Sequence, residues 1–343
     1  MASNAFPTPV VLCVFNRPDT TQKVFDAIRR ARPARLYVVA DGPRDEGDRP
    51  ACQQVRQIID TLDWPCELHT NYAETNLGCG ERIVSGLDWV FDQVDQAIVL
   101  EDDCLPDPSF FPFCETLLDH YRHDPRVMHI GGHNRLMQWR PQAASYFGTY
   151  LYGSPWGWAT WRRAWRCFRR ESDAWRQLAY DPTVAERLPN REVYDSFLHP
   201  FKNYSMEQLQ SEWGFIWTLS KLLSGGMSIV PSKNLVSNIG IGAGATHTRG
   251  AVALLFQNTP RYAMEFPLRH PPALVADREY EYQHLLWYQG RSDPRLLLPL
   301  VHHLRSQNRH VHALLVLEKI LQTTPSSPDA RELKASLLQQ LGR

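Results

Sequence analysis

The sequence predicts an α/β chain built on a mostly parallel sheet flanked by helices, with a helical C-terminal appendage. Three observations carry this. Short apolar runs alternate with helix-like stretches four times between residues 10 and 103. The first two runs and the fourth are continuously apolar, as strands covered on both faces are. The fourth ends abruptly in Glu101-Asp102-Asp103, and buried strands do not normally finish in carboxylates unless a ligand there needs them.

Each element has its own signal. Val10 to Phe15 reads as the first buried strand, and Asn16-Arg17-Pro18-Asp19 as the turn after it. Asp19 or Thr20 is expected to cap the next helix, in which Val24, Phe25 and Ile28 recur at helical spacing. Leu36 to Ala40 is the second strand, closed by Asp41-Gly42-Pro43, and a helix through Val55, Ile58, Ile59 and Leu62 follows. Cys66 to Thr70 is the third strand, Asn76-Leu77-Gly78 a turn, and Ile83 to Phe91 a helix leading into Ala97–Leu100. Repeated strand–helix alternation places helices on both faces of a parallel sheet.

Beyond Asp103 the pattern changes. A helix over Phe110 to Tyr121, a strand over Val127 to Ile130 and a closing Gly131-Gly132-His133-Asn134 lead to a stretch dense in Trp and Tyr from Tyr146 onward. Trp213 to Leu223 reads as a helix stopped by Gly225-Gly226, Met227 to Pro231 as a strand, and the Gly-rich Asn238 to Gly244 as a loop. His310 to Gln322 and Ala330 to Leu341 are helical, separated by Pro325-Ser326-Ser327-Pro328, and with Ala313 and Ala330 they resemble part of a tetratricopeptide array. One such repeat cannot bury its own face, so it is expected to pack on the body or to meet a protein partner. The resulting division is 7–135 as a nucleotide-binding α/β half, 136–255 as an acceptor-binding half of the same domain, and 256–343 as linker and helical segment.

Composition excludes some partners. Lys plus Arg and Asp plus Glu both number 37, which leaves no excess positive charge for nucleic acid. Met1 to Pro9 has neither the basic start nor the apolar core of a secretory signal, and no apolar run approaches the ~20 residues that cross a bilayer. The seven cysteines are scattered without a Cys-x-x-Cys pair, so a cytoplasmic chain with reduced thiols is expected.

The acids suggest a divalent cation, Mn²⁺ or Mg²⁺, carrying a phosphorylated substrate beyond the strand ends, because hard ions take carboxylate and substrate oxygens. Asp103 is the expected metal ligand, with Glu101 and Asp102 reaching ribose or sugar hydroxyls. Asp41 ends strand two, where a carboxylate can accept from base or ribose, although Asp-Gly-Pro is also a turn signal. Asn76-Leu77-Gly78-Cys79-Gly80 suggests an approach to phosphate, with Arg82 either paired to it or solvated. His247, in Ala245-Thr246-His247-Thr248, is a candidate second metal ligand. Glu212 is the candidate general base, with Glu207 behind it; the first turn of a helix also favours an acid there.

Taken in order, Val-Leu-Cys-Val-Phe-Asn-Arg-Pro, Val-Ala-Asp-Gly-Pro, Asn-Leu-Gly, Glu-Asp-Asp, Trp-Gly-Trp-Ala-Thr-Trp and a late Leu-Val-Ser-Asn-Ile-Gly before Ala-Thr-His-Thr resemble bacterial, family 2-like GT-A glycosyltransferases. They are similar in order to the animal transferase that adds the first branching N-acetylglucosamine to N-glycans. The resemblance spans about residues 8 to 250. It implies a GT-A fold, a nucleotide-sugar donor (UDP- or GDP-linked), a cation held chiefly by the last acid of the triplet, and displacement with inversion. Where that relative carries its catalytic Asp this chain has Ser211, with Glu212 beside it. His247 matches the relative's late His, and Trp156 and Trp158 match wall residues of the donor-sugar or acceptor site.

The implied activity is glycosyl transfer to a glycan, lipid-linked or protein acceptor, in the cytoplasm or at the inner face of a membrane. A sugar-phosphate nucleotidyltransferase would want a Gly-rich basic loop after strand one, which Asn16-Arg17-Pro18 is not. A non-catalytic GT-A-like module recruiting partners through its helical C-terminus is the alternative that Ser211 supports.

Overall fold

A computed structural model describes residues 6–240, 258–288, 294–306 and 308–341. Strands β1 (Val10–Val14), β2 (Arg35–Ala40), β3 (Glu67–Tyr72) and β4 (Gln96–Glu101) alternate with helices α1 (Pro18–Ala31), α2 (Arg49–Asp60) and α3 (Cys79–Phe91). After β4 come β5 (Cys104–Pro106), helix α4 (Phe110–His120), β6 (Val127–Gly131), β7 (Tyr146–Thr149), β8 (Trp158–Trp161), β9 (Met227–Pro231) and β10 (Val236–Asn238). Eight strands form one sheet in the order β3-β2-β1-β4-β8-β6-β9-β7, while β10 and β5 pair as a separate antiparallel ribbon. The first four are mutually parallel, with Leu12 opposite both Val38 and Leu100. β8 runs antiparallel between β4 and β6, so β6 points the same way as β4. The α/β class and the mostly parallel sheet are therefore as the alternation predicts.

Strand β1 shows why its sequence is apolar throughout. Val10, Leu12 and Val14 pack in one core with residues of α1, α2 and α4, while Val11 and Cys13 pack in another with α3. Successive side chains point to opposite faces, and here both faces are covered. Edge strand β3 is different: Glu67 and Leu68 are exposed, and its charged and polar residues keep a free sheet edge soluble.

Helix α1 begins earlier than its Asp19 or Thr20 would suggest. Pro18 occupies the first turn with Arg17 at the N-cap, and the Thr20 and Thr21 hydroxyls donate back to the Arg17 carbonyl. The preset φ of proline fits that position and decides the start. The turn from β1 to α1 is thus only Phe15-Asn16-Arg17, without glycine. The helix Trp213–Leu223 and strand β9 fall where their patterns place them. Asn238, expected to open a loop, instead closes β10, and residues 241–257 lie outside the described residues.

The aromatic-rich middle builds the second core. Trp158, Trp165 and Trp217 are fully buried, with Trp158 and Trp217 at 6.0 Å and His129 stacked on Trp158 at 4.9 Å. The Trp217 indole N–H donates to His129 Nδ1 at 3.2 Å, which leaves Nε2–H of the neutral ring to donate to the Ser154 carbonyl at 3.2 Å. Burial holds His129 well below the usual histidine range, and nearby Lys221 adds to it.

The C-terminal helices belong to the same body. Residues 258–277 are strapped across it: the Tyr262 amide donates to the Asn234 carbonyl at 2.8 Å, and the Asp277 amide to the Gly148 carbonyl at 2.8 Å. The following helix, Arg278–Tyr288, sends Glu281 Oε1 to the Thr149 hydroxyl at 2.9 Å and to the amides of Tyr150 and Leu151. Helices Pro294–Ser306, His310–Thr323 and Pro328–Gln340 share an apolar cluster with Leu136, Trp139 and Val230. The helical segment therefore packs on the body, one of the two outcomes expected of it. Among the described residues no helix is long and apolar enough to cross a membrane.

Lys221 is fully buried, its ammonium on the Ser228 hydroxyl, and burial lowers its pKa from 10.5 to about 7 despite Glu281. Between those values the unfolded chain binds the additional proton, so this group makes stability rise with pH. Lys221→Met should remove that rise. Urea unfolding at about pH 7 and about pH 9 should show the wild type gaining on the variant by on the order of 2 kcal/mol.

Candidate active site

The chain goes from β1 outward to β2 and β3 on one side and then crosses to β4 on the other. The carboxyl ends of β1 and β4 thus flank a topological switch point, the place where open α/β sheets hold ligands. Arg17 follows β1 and the three acids end β4, with Glu101 opposite Cys13 in register. Arg17 Nη2 pairs with Asp102 Oδ1, and Nη1 donates to Asp103 Oδ2 at 2.8 Å. The Phe15 amide donates to Asp102 Oδ2 at 3.2 Å. Asp102 is therefore turned inward, with both oxygens engaged by protein groups; it sits in the turn just after β4, where it and Asp103 both reach Arg17.

One guanidinium faces three carboxylates, and the local charge shows it. Burial pushes Glu101 up to about 8, with Asp103 and Asp102 adding to the effect. Burial also raises Asp102, to about 6, against the pull of Arg17. Burial would lower Arg17, but Asp102 and Asp103 hold it above its ordinary value.

A lid of backbone closes over this pair. The Ile239 amide donates to the Asp103 carbonyl at 2.8 Å, extending the β5–β10 ribbon. A side chain at Gly240 would meet Asp103 Oδ2 at 2.5 Å and Arg17 Nη1 at 2.6 Å, so glycine is required there for the close approach. His247 lies beyond, outside the described residues.

Glu212 joins helix Met206–Ser211 to helix Trp213–Leu223 and is half-buried. A Cβ at Gly80 would collide with the Gln210 carbonyl, so the end of the first of these helices is pressed against the start of α3. Cys79 stands at that junction. Burial raises its thiol well above the usual range, and Glu101, Glu212 and Asp103 all contribute. Glu212, Glu101 and Asp103 thus act on one point, whereas Glu207 is exposed.

Asp41, Asn76 and Arg82 form a neighbouring brace. Asp41 Oδ1 accepts from the amides of Gly42 at 2.8 Å and Leu77 at 2.9 Å, and Oδ2 from Asn76 Nδ2 at 2.9 Å and the Gly78 amide at 3.1 Å. Four donors occupy this carboxylate, which fastens the loop after β3 to the end of β2. Arg82 is buried, its Nε on the Ala40 carbonyl at 3.1 Å and its Nη2 on the Asn71 carbonyl at 2.6 Å. Burial lowers its pKa.

The two tryptophans part company. Trp156 is half-buried beside His133, with ring centroids 4.9 Å apart and the Arg135 guanidinium 5.5 Å from its ring. Trp158 is fully buried within the tryptophan core, so its indole packs inside the body and does not line a surface. Sequence reasoning passed over Arg17 as part of a turn. Its signal was an arginine directly before the proline that opens α1, at the end of a buried strand.

Among the described residues no group of three or more His, Cys, Asp or Glu side chains is arranged to hold a metal ion. Mg²⁺-type ions, however, are commonly held by one or two carboxylates plus substrate phosphates and water. Glu101 and Asp103 supply hard oxygen donors, and the negative charge that raises Glu101 is what a cation would relieve. The donor set fits such an ion at that level.

No family model matches the chain, and no curated protein matches it. Among solved structures it is similar to a UDP-glucose pyrophosphorylase complexed with UDP-glucose, at 13% identity over 42% of this chain and 62% of that one, TM-score 0.24. It thus spans less than two thirds of that protein's length. It is also similar to 4-diphosphocytidyl-2C-methyl-D-erythritol synthase from Anaerococcus prevotii DSM 20548 (10% identity, 61% and 85% covered, TM-score 0.30). A third likeness is to mouse xyloside xylosyltransferase 1 in its apo form (11% identity, 63% and 81% covered, TM-score 0.30). These likenesses are distant, and the fold class rests on the strand order itself.

Arg17→Ala should leave Asp102 buried without its countercharge. The expected loss is about 3 kcal/mol of stability near neutral pH, the usual cost of stripping one partner from a buried ion pair. Urea unfolding measures it, and adding Asp102→Asn to Arg17→Ala should recover most of the loss.

Proposed function

We propose that the chain is a divalent-cation-dependent glycosyltransferase of the GT-A type, moving a sugar from a UDP- or GDP-linked donor to a glycan, lipid-linked or protein acceptor. The observation that carries the reading is the triplet Glu101-Asp102-Asp103 at the switch point between β1 and β4, three carboxylates of which Arg17 pairs with Asp102 and Asp103. Mn²⁺ or Mg²⁺ would be held by Asp103 with His247 and would neutralise charge on the departing diphosphate. Glu101 would orient the ribose and donor sugar, Asp102 would hold Arg17 in place beside it, and Asp41 and Asn76 would shape the nucleoside side with Arg82 bracing it.

In the step itself, the acceptor hydroxyl oxygen bonds to the anomeric carbon while the bond from that carbon to the β-phosphate oxygen breaks. The electron pair leaves with the nucleoside diphosphate, and the hydroxyl proton passes to the Glu212 carboxylate. Attack opposite the leaving group inverts the anomeric centre. A general base of this kind contributes about 10²–10⁴-fold. Transfer from the cytoplasmic side, at or near a membrane surface, and a tetratricopeptide-like role for the C-terminal helices complete the proposal.

Calorimetry with UDP and with GDP, each with and without Mn²⁺, tests it. Metal-enhanced binding of one nucleotide is expected, lost in Asp103→Ala and retained in Glu212→Ala. The second variant should instead lose about 10²–10⁴-fold in turnover with the matching nucleotide sugar. Absence of metal-enhanced binding for either nucleotide overturns the enzyme reading; binding without turnover in the wild type favours the non-catalytic module.

A further inference from the structure

Two buried histidines away from the acid triplet are unaccounted for by the step above. His133 and His284 are each 2% exposed, and among the described residues none of their four ring nitrogens has a hydrogen-bond partner. Buried polar atoms are nearly always paired, so four unpaired nitrogens in one neighbourhood call for a ligand or ordered solvent. His133 lies just past the carboxyl end of β6, and Trp156 just before β8, on the same sheet edge as Asp103. The Gly132 amide donates to the Gly157 carbonyl at 2.8 Å. Strand β10 ties the two places together: the Val236 side chain fills the space that a side chain at Gly132 or at Gly157 would need, while Asn238 pairs with Cys104 beside Asp103. Two residues of strand separate these contacts, roughly 7 Å.

The walls of this polar seam come from both ends of the chain. Tyr152 stacks on His284 with centroids 3.6 Å apart, Trp156 lies against His133, and Arg135 sits 5.5 Å from the Trp156 ring. Arg135, Trp156 and Tyr152 are half-exposed and form the outer side. Burial, and then the Arg135 charge, hold both histidines well below their usual range. Among the described residues no acid is among the groups acting on either ring. Glu281, three residues before His284, has Oε1 engaged by Thr149, Tyr150 and Leu151, leaves Oε2 buried without a hydrogen-bond partner among the described residues, and acts on Lys221. Neutral imidazoles supply N–H donors, the guanidinium supplies positive charge, and Trp156 supplies a face on which a sugar ring can rest.

We propose that His133, Arg135 and His284, walled by Trp156, form an acceptor subsite that receives an anionic group, a carboxylate or a phosphate, borne by the acceptor sugar. This rests on the glycosyltransferase reading for the word acceptor, but not for the anion preference. The subsite includes His284 from the C-terminal helical segment, so that segment is part of the binding surface.

The test uses the full chain with glucuronate, glucose 6-phosphate and glucose as probes, with and without nucleotide and Mn²⁺. Affinity is read by calorimetry and engagement by side-chain ¹⁵N resonances of the histidines. An anionic sugar should bind about tenfold or more tighter than glucose, since charge-assisted bonds are the strong ones, and should shift the His133 and His284 signals. Preference for glucuronate assigns a carboxylate, and for glucose 6-phosphate a phosphate. Arg135→Gln should abolish the preference and Arg135→Lys retain part of it, with nucleotide binding unchanged and urea unfolding showing that both variants fold. Equal binding of the three sugars, or a preference that survives Arg135→Gln, overturns the subsite. Anion preference without nucleotide binding would leave the subsite standing and remove the transferase reading; nucleotide binding without anion preference would do the reverse.

Discussion

The ion pair of Arg17 with Asp102 and Asp103 is the constraint around which the first half of the molecule is arranged. It spans the ends of β1 and β4, the two strands between which the chain changes direction across the sheet. Taking these charges out of water costs several kcal/mol per ion, so the pair survives only because its geometry is complete on one side. Asp102 has a backbone N–H from Phe15 as well as the guanidinium. Pro18 fixes where α1 begins and with it where the Arg17 side chain leaves the backbone. The glycine at 240 lets the backbone at that residue come close to both partners.

A second contact brings the candidate base into range. Gly80 opens the start of α3 to the Gln210 carbonyl, so the short helix Met206–Ser211 lies directly on α3 and delivers Glu212 to the Cys79 neighbourhood. That short helix is held in turn by a reciprocal cap at Ser205 and Gln208 and by Leu209 in the tryptophan core. Packing of the second core therefore sets the distance between a carboxylate near residue 212 and the acids of β4. The aromatic density of the middle of the chain is mainly structural. Trp158, Trp165, Trp213 and Trp217 pack on one another and on α3, and Trp156 alone of the pair at 156 and 158 remains at the surface.

Much of the parallel half was legible because its signals are local. Continuous apolar runs, helical spacing and turn residues bounded β1, β2 and β4 to within a residue or two, and the acids stood out by interrupting a buried strand. The antiparallel β8 was not legible: Trp158 to Trp161 is four residues long, and its place between β4 and β6 is a long-range choice with no local signature. Side-chain roles were harder still. Asp41 and Arg82 have the right residue types for a substrate, yet nearby backbone groups engage them. Only three-dimensional convergence reveals that, and it equally raises Arg17 from a turn residue to the countercharge of the site. His133 carried no periodic or spacing signal because its partner in the seam, His284, lies some hundred and fifty residues further on.

The two ends of the sheet edge differ in the charged groups they bring together. Around β1 and β4 three carboxylates meet the single guanidinium of Arg17, and burial raises Glu101 and Asp102 against its pull. Around β6 and β8 the Arg135 charge acts on both His133 and His284, and Lys221 acts on His129. The proposed cation site lies at the first end and the proposed anion subsite at the second, and β10 runs past both. Because Arg278–Tyr288 supplies His284 and, through Glu281, caps the loop after β7, the C-terminal segment is joined to the second end by hydrogen bonds as well as by its apolar face. Removing it would expose Leu136, Trp139 and Val230 and leave half of the seam missing, so in this chain the helical segment and the sheet edge are one structural unit.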